Sequence, residues 1–153
     1  MTPWPIALPT GCFYQRSIFD ILPAVSEAGF REIEVCSSPR HLDYHNMEQV
    51  CQARARMREL GLVPHSFHAP FTDRIDITSL DRSLRDASLH ALHRACAAAA
   101  ALDCAQVVLH PGPERPGRPP EAEFLQHMHH AAESLNVVAA RCCELGLQLL
   151  LEN

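Results

Sequence analysis

Residues 106–110 read Gln-Val-Val-Leu-His, and residues 147–152 read Leu-Gln-Leu-Leu-Leu-Glu. Each is a short apolar run that ends on a polar residue, which is typical of a buried strand. Between them lie a loop rich in Pro and Gly at 111–120 and a segment whose apolar residues recur every three or four positions. Gly146 then provides a helix stop. This order predicts a strand, a helix and a second strand parallel to the first.

The same alternation runs through the rest of the chain. Ser17 precedes a helical pattern in which Pro23 would kink or break the helix. A second helical pattern covers 47–60, and Thr78 with Asp81 fits a capping box before a third, long apolar stripe. With the two segments above included, five strands are predicted: Ile6–Thr10, Glu32–Cys36, Leu62–His68, Gln106–His110 and Leu147–Glu152.

Five strands separated by four helices predict an α/β fold with a parallel sheet covered by helices. The motif G-x-G-x-x-G, which marks the open nucleotide-binding form of such sheets, is absent from the sequence. A closed barrel of eight βα units needs about 250 residues, whereas this chain has 153. We therefore predict that residues 1–153 are one partial domain, the first five strands and four helices of a TIM barrel, with the C-terminal part missing.

Composition and charge narrow the classes of function. Apolar residues make up 47% of the chain and charged residues 20%, as in globular proteins. The net charge of −5 argues against sequence-independent binding of nucleic acid, which depends on clustered basic residues. There are 7 cysteines, an odd number, and C-x-x-C does not occur, so reduced thiols in a cytoplasmic protein are expected. Neither a signal peptide nor a membrane span is predicted.

Three of the predicted strands end on a residue able to bind a metal. These residues are His68, His110 and Glu152, at equal intervals of 42 residues. The C-terminal ends of parallel strands meet at the barrel mouth, where active sites lie, and alternation places His68 on one face with Ser66 and Pro64. Two imidazoles and a carboxylate are a common ligand set for Zn²⁺, and Mn²⁺ and Fe²⁺ also accept it. Because a single His at a strand end is more often structural, the prediction rests on all three positions.

The sequence around these three positions resembles a known family. Residues 66–71 (Ser-Phe-His-Ala-Pro-Phe), 107–112 (Val-Val-Leu-His-Pro-Gly) and 149–153 (Leu-Leu-Leu-Glu-Asn) are similar to the xylose-isomerase-like TIM barrel superfamily, as is the segment 28–34. This superfamily includes sugar and sugar phosphate isomerases and epimerases, and also the endonuclease IV type of abasic-site DNA repair enzymes. The resemblance spans nearly the whole chain but only the first five-eighths of the family's fold.

The resemblance implies a divalent metal (zinc, manganese or magnesium) and a sugar or sugar phosphate as the small-molecule partner. Glu152 matches a metal ligand shared across the family, and the resemblance implies that it is also the catalytic base that moves a proton next to the substrate carbonyl. His68 and His110 match ligands of the endonuclease branch, whereas in many isomerases these positions line the pocket. The other ligands would lie beyond Asn153, so this piece alone is expected to be at best weakly active.

Three hypotheses for the function remain. A sugar isomerase or epimerase is favoured, because Phe71 stands where the repair enzymes usually carry Tyr and because the chain is acidic. An endonuclease IV-like hydrolase stays open through the segment 110–112, His-Pro-Gly. The third hypothesis is a half-barrel without activity that forms a homo-oligomer or serves as an interaction module, because its two edge strands are unpaired.

Further residues near the mouth are candidates for binding substrate. Glu34 on the second strand, His45 in the loop after it and Arg115 in the loop after the fourth strand are predicted to contact the substrate, Arg115 through a phosphate. A buried salt bridge would explain Glu34 equally well. His127 and its histidine neighbours on the fourth helix are expected to lie on a solvated helix face, and Tyr14 is expected to be a packing residue.

Overall fold

The computed structural model describes residues 6–114 and 117–152, which form five strands and four α-helices. The strands are β1 Ala7–Pro9, β2 Glu32–Cys36, β3 Val63–His68, β4 Gln106–Leu109 and β5 Gln148–Leu151. The helices are α1 Ile18–Glu27, α2 Met47–Glu59, α3 Arg82–Ala101 and α4 Glu121–Glu144. All strand pairs are parallel, and their order in the sheet, β1-β2-β3-β4-β5, follows the chain. The predicted α/β order is confirmed.

Two elements differ from the sequence-based prediction near the start of the chain. β1 ends at Pro9, because residues Thr10–Phe13 turn into a short 3-10 helix. α1 runs without a break through Pro23, so a break of the helix at this position is wrong, and the kink stays a prediction. None of the helices among the described residues combines the length and apolarity that crossing a bilayer requires.

The start of α3 also differs from the prediction. Asp81 caps this helix by accepting a hydrogen bond from the Ser83 amide at 2.8 Å. The predicted capping box is wrong, because Thr78 lies outside the helix and donates its hydroxyl to Asp76 Oδ1 at 2.7 Å. The segment 72–81 before α3 is therefore a structured loop, and its Ile77 amide donates to the Pro111 carbonyl of the segment after β4 at 3.3 Å. We call this segment the loop beneath the mouth.

One face of the sheet is apolar and packs against the helices. Ile33 and Val35 of β2, Phe67 of β3, and Val107 and Leu109 of β4 are at most 1% exposed. Burial of such side chains is the main favourable contribution to folding. The helices contribute a matching set of buried apolar residues: Ile18, Leu22, Val50, Met57, Leu92 and Val138.

The opposite face of the sheet carries a row of polar side chains. Glu34 lies opposite Ser66, Ser66 opposite Gln106, and Gln106 opposite Gln148. Ser66 Oγ donates to Glu34 Oε2 at 2.7 Å, and Gln106 Nε2 donates to Gln148 Oε1 at 3.2 Å. This polar face is the one that would line the interior of a closed barrel, and we call it the inner face.

A β-bulge between β2 and β3 sets which residues of β3 belong to the inner face. Ile33 lies opposite Pro64, but Glu34 lies opposite Ser66, so His65 is an extra residue on β3. Pro64 therefore pairs with a residue of the apolar face, and the expectation that it shares a face with Ser66 and His68 is wrong. After the bulge, Ser66 and His68 share the inner face, and Phe67 turns toward the helices.

Candidate functional site

Three side chains converge at the C-terminal edge of the sheet. His68 Nε2 lies 3.4 Å from Glu152 Oε2, and His110 Nε2 lies 3.5 Å from the same oxygen. Their potential ligand atoms all lie within 4.8 Å of one another, the only such group of three or more among the described residues. The residues predicted to meet at the barrel mouth are thus brought together, as their strand-end positions predicted.

The convergence follows from the register of the strands. Leu109 lies opposite Leu151, so the residues that follow them, His110 and Glu152, emerge side by side, and the Glu152 amide donates to the Leu109 carbonyl at 3.1 Å. His68 lies opposite Val108 and therefore one same-face step deeper than His110. The three side chains form a group with His68 at its base.

The two imidazoles are oriented by different contacts. His68 Nδ1 lies 2.9 Å from the carbonyl oxygen of Ala69. Because a carbonyl oxygen can only accept a hydrogen bond, we assign the imidazole proton to Nδ1, and the lone pair of Nε2 then faces Glu152. The His110 ring lies against Phe71, with centroids 4.3 Å apart and planes tilted by 31°. The two imidazole centroids are 5.2 Å apart.

Solvent reaches the group from the carboxylate side. The side chains of His68 and His110 are 21% and 19% exposed, whereas that of Glu152 is 53% exposed. Two neutral imidazole nitrogens and one carboxylate oxygen are ligand types that a divalent metal such as zinc accepts, and the partly open side leaves room for further ligands. Without a metal, protonation of either imidazole gives an ion pair with Glu152.

Two cavities lie beside this group and share Phe71 as a wall. One, of about 510 Å³, is lined by His68 together with Tyr14 and His45. The other, of about 300 Å³, is lined by His110, Glu152 and the segment 111–114. An aromatic side chain that separates two cavities next to a polar cluster is well placed to contact a ligand.

The predicted substrate-binding residues have different surroundings. His45 lines the larger cavity, with its ring centroid 4.0 Å from that of Tyr44. Glu34 lies on the inner face one same-face step below the level of His68 and accepts the hydrogen bond from Ser66 described above. Arg115 lies outside the described residues.

Three features of the site were not predicted as functional. Phe71, the last residue of the Ser-Phe-His-Ala-Pro-Phe segment, was used only to compare the two branches of the family, and Tyr14 was expected to be a packing residue. Cys36 also lines the larger cavity, and burial, with a smaller effect of Glu34, raises the pKa of its thiol. An exposed aromatic next to a predicted ligand is the signal that would have identified Phe71, which is 42% exposed.

The loop beneath the mouth is fixed by buried polar contacts. Asp76 Oδ1 accepts hydrogen bonds from both the amide and the hydroxyl of Thr78, at 2.9 and 2.7 Å. The carbonyl of Thr78 lies 2.7 Å from His127 Nδ1, and Ser134 Oγ donates to the Ile77 carbonyl at 3.0 Å. His127 is therefore not on a solvated helix face as expected; its side chain is 13% exposed and joins α4 to this loop.

Comparison with known proteins agrees with this architecture. Residues 22–153 match the family model for a xylose isomerase-like TIM barrel. No curated protein sequence matches the chain. A structure of D-psicose 3-epimerase in the presence of D-fructose superposes with a TM-score of 0.76, at 17% identity, over 94% of this chain and 50% of that one.

Two further structures superpose in the same way. The 3-keto-D-glucoside 4-epimerase from E. coli has a TM-score of 0.76 and 18% identity, covering 97% of this chain and 56% of that one. The TTHB071 protein from Thermus thermophilus, in a structure soaked with ZnCl2, has a TM-score of 0.71 and 30% identity, covering 97% and 55%. The chain thus spans about half the length of these proteins, and its strands and helices are arranged as half of a TIM barrel.

Proposed function

The chain belongs to the xylose isomerase-like TIM barrel family, and from that premise we propose that it provides the N-terminal part of a divalent-metal-dependent sugar isomerase or epimerase. The observation that carries the proposal is the convergence of His68, His110 and Glu152 on one point at the barrel mouth. The sugar epimerases among the structures with the same fold favour this reaction class over others. The metal would be zinc, manganese or magnesium.

Each of the three residues has a role in this proposal. His68 and His110 would hold the metal through Nε2, and His68 is preset for this by its contact with the Ala69 carbonyl. Glu152 would be both a ligand and the base that removes a proton from the carbon next to the substrate carbonyl, because its carboxylate is the exposed member of the group. When bound, the metal supplies Lewis-acid polarisation of that carbonyl.

The residues predicted to bind substrate would act near the barrel mouth. We propose that His45 binds a sugar hydroxyl in the larger cavity and that Arg115 contacts a phosphate where the substrate carries one. Glu34 would act from the inner face beneath His68, held in place by Ser66.

The free thiols, of which three of seven are exposed, fit a reducing cytoplasm.

Metal binding by the purified chain tests the proposed site. Titration with ZnCl2 or MnCl2, followed by calorimetry and by metal analysis after gel filtration, should give one ion per chain. Glu152→Gln keeps the shape of the side chain and removes its charge, so we expect affinity to fall at least about 10-fold. Glu133→Gln, a carboxylate on the exposed surface of α4, is the matched control. Equal binding by wild type and Glu152→Gln, or no binding by wild type, would refute the assignment.

Proton exchange tests the reaction class. In D2O with Mn²⁺, an isomerase or epimerase site exchanges the hydrogen next to the carbonyl of a ketose such as D-fructose, which NMR detects. We expect slow exchange by the wild-type chain that Glu152→Gln abolishes. Absence of exchange by a metal-loaded chain would count against proton transfer by this chain alone.

A second function is favoured by one specific observation. Both imidazoles face the Glu152 carboxylate, which is the arrangement expected if His68 and His110 are ligands as in the endonuclease IV-like branch. Metal ions held there would activate water toward a phosphodiester. Incubation of the metal-loaded chain with a duplex containing an abasic site separates the two functions, because cleavage there supports the hydrolase and not the isomerase. A third outcome, an assembled homo-oligomer without either activity, would support an interaction module.

A further inference from the structure

Two buried cysteines face each other between α3 and α4, far from the barrel mouth. Cys96 Sγ and Cys142 Sγ are 3.6 Å apart, and each residue is 1% exposed. The two residues are 46 positions apart in sequence, so their contact joins separate helices. The described chain contains another buried thiol, Cys104, whose side chain has no such partner thiol and serves as a natural comparison.

The pKa values of the two thiols are shifted in opposite directions. The pKa of Cys142 is lowered because it accepts a hydrogen bond from Cys96, and that of Cys96 is raised by this same bond and by burial. These opposite directions favour Cys142 as the sulfur that ionises first. The thiolate is the reactive form of cysteine, so this asymmetry makes Cys142 the nucleophile of the pair. Burial, by contrast, raises the pKa of Cys104 to about 12.

A surface groove passes beside the segments of α3 and α4 that carry the pair. The groove, of about 640 Å³, runs between α3 and α4 and is lined by residues adjacent to each cysteine in sequence, Ala97 and Arg141. His93 lines it as well, one helical turn before Cys96. Its Nε2 is buried and, among the described residues, has no hydrogen-bond partner. A small reagent in the groove would thus lie beside residues that neighbour both cysteines in sequence.

We propose that Cys96 and Cys142 are a peroxide-reactive dithiol that closes to a disulfide between α3 and α4. The Cys142 thiolate attacks one oxygen of hydrogen peroxide, the O–O bond breaks, and the departing hydroxide takes up a proton to become water. Cys142 is then a sulfenic acid. The Cys96 sulfur then attacks the Cys142 sulfur.

The second step completes the balance. The S–O bond of the sulfenic acid breaks, and the departing hydroxide takes up the proton of the Cys96 thiol to form a second water. Two thiols and one peroxide give one disulfide and two waters, so the sulfurs are oxidised by two electrons and the peroxide is reduced by two. The sulfurs must approach from 3.6 Å to about 2 Å for the bond to form.

Mass spectrometry of the folded chain tests the proposal. In a background with Cys12, Cys51 and Cys143 replaced by Ser, the exposed thiols no longer form bridges between chains. After hydrogen peroxide treatment, the protein is denatured, alkylated with iodoacetamide and digested. We expect a linked peptide pair joining Cys96 to Cys142, lighter by two hydrogens, while Cys104 is alkylated as a free thiol.

Two further readouts make the outcome decisive. Dithiothreitol should restore both alkylation sites, and the Tm of the oxidised protein should rise, because a bridge between distant positions restricts the unfolded chain. Cys142→Ser in the same background should remove the bridge and leave Cys96 as unreactive as Cys104. The proposal is overturned if Cys96 and Cys142 are alkylated to the same extent as Cys104 after peroxide, if they become sulfinic acids without a bridge, or if the bridge forms only after denaturation.

Discussion

Replacing Gly112 by Ala tests how closely the loop that follows His110 packs on the loop beneath the mouth. A Cβ at position 112 would lie 2.8 Å from Asp76 Oδ1 and 3.2 Å from Thr78 Oγ1. These atoms have little freedom to move, because Asp76 is 4% exposed and Thr78 donates two hydrogen bonds to it. The new methyl group therefore meets a fixed carboxylate oxygen, and one of the two loops must shift.

The magnitude follows from the cost of inserting a methyl group into a packed site. Overpacking of this kind costs about 1–3 kcal/mol, which for a chain of this size corresponds to a fall in Tm of about 2–12 °C. Gly11→Ala is the matched control, because a Cβ there would make only ordinary contacts, at 3.5 Å from Cys36. Neither glycine has a positive φ, and both substitutions reduce the entropy of the unfolded chain equally, so the difference between the variants isolates the clash.

Thermal and urea denaturation of the two variants and the wild type measure this difference. We expect Gly112→Ala to unfold at lower temperature and denaturant concentration than Gly11→Ala, which should equal or exceed the wild type. If residues 110–112 give way, His110 moves relative to Glu152, so the affinity for Zn²⁺ should fall in Gly112→Ala alone. Equal stability of the two alanine variants would show that Asp76 yields freely, and the packing argument would then be wrong.

Two further predictions concern a helix cap and a buried histidine. Asp81→Ala removes the cap of α3 and should lower the free energy of unfolding by about 1 kcal/mol. The control Asp86→Ala loses only an exposed 3.6 Å ion pair with Arg82, so it should change the free energy of unfolding by less than about 0.5 kcal/mol. Urea denaturation of both variants measures the difference. The pKa of His41 is lowered mainly by burial, so below about pH 6.5 the unfolded chain binds a proton that the folded chain resists. Stability should then decline as the pH falls, less steeply in His41→Gln, and identical pH profiles would contradict this.

The elements of the fold could be predicted from the sequence because their signals are local. Strands such as 106–110 are short apolar runs, and the helices carry apolar residues every three or four positions, so both follow from side-chain periodicity. The cap of α3 was assigned to the wrong residue because Thr78 and Asp81 have the spacing of a capping box. Only the tertiary contact of Thr78 with Asp76 decides against it, and such a contact leaves no mark in the local sequence.

The candidate site was predicted in its strand-end residues but not in its surroundings. His68, His110 and Glu152 are visible because each ends an apolar strand, and parallel strands end at one edge. Residues that reach the site from loops have no comparable signal, which is why Phe71 was missed as a contact of His110. The contact of His127 with the Thr78 carbonyl was missed for the same reason, since helical spacing alone gives no information about a partner loop.

The convergence of the three residues depends on the parity of the strand register. Side chains alternate between faces, so a shift of one residue moves a side chain to the opposite face, whereas a shift of two keeps it on the same face. His110 and Glu152 emerge side by side, and His68 is displaced from His110 by two residues, so all three stay on the inner face. If His65 paired in regular register instead of forming the bulge, the pairing that sets Glu32 opposite Val63 would continue, with Cys36 opposite Phe67. Phe67 would then face inward and His68 would turn toward the helices, so the bulge is what makes a three-residue site possible on this sheet.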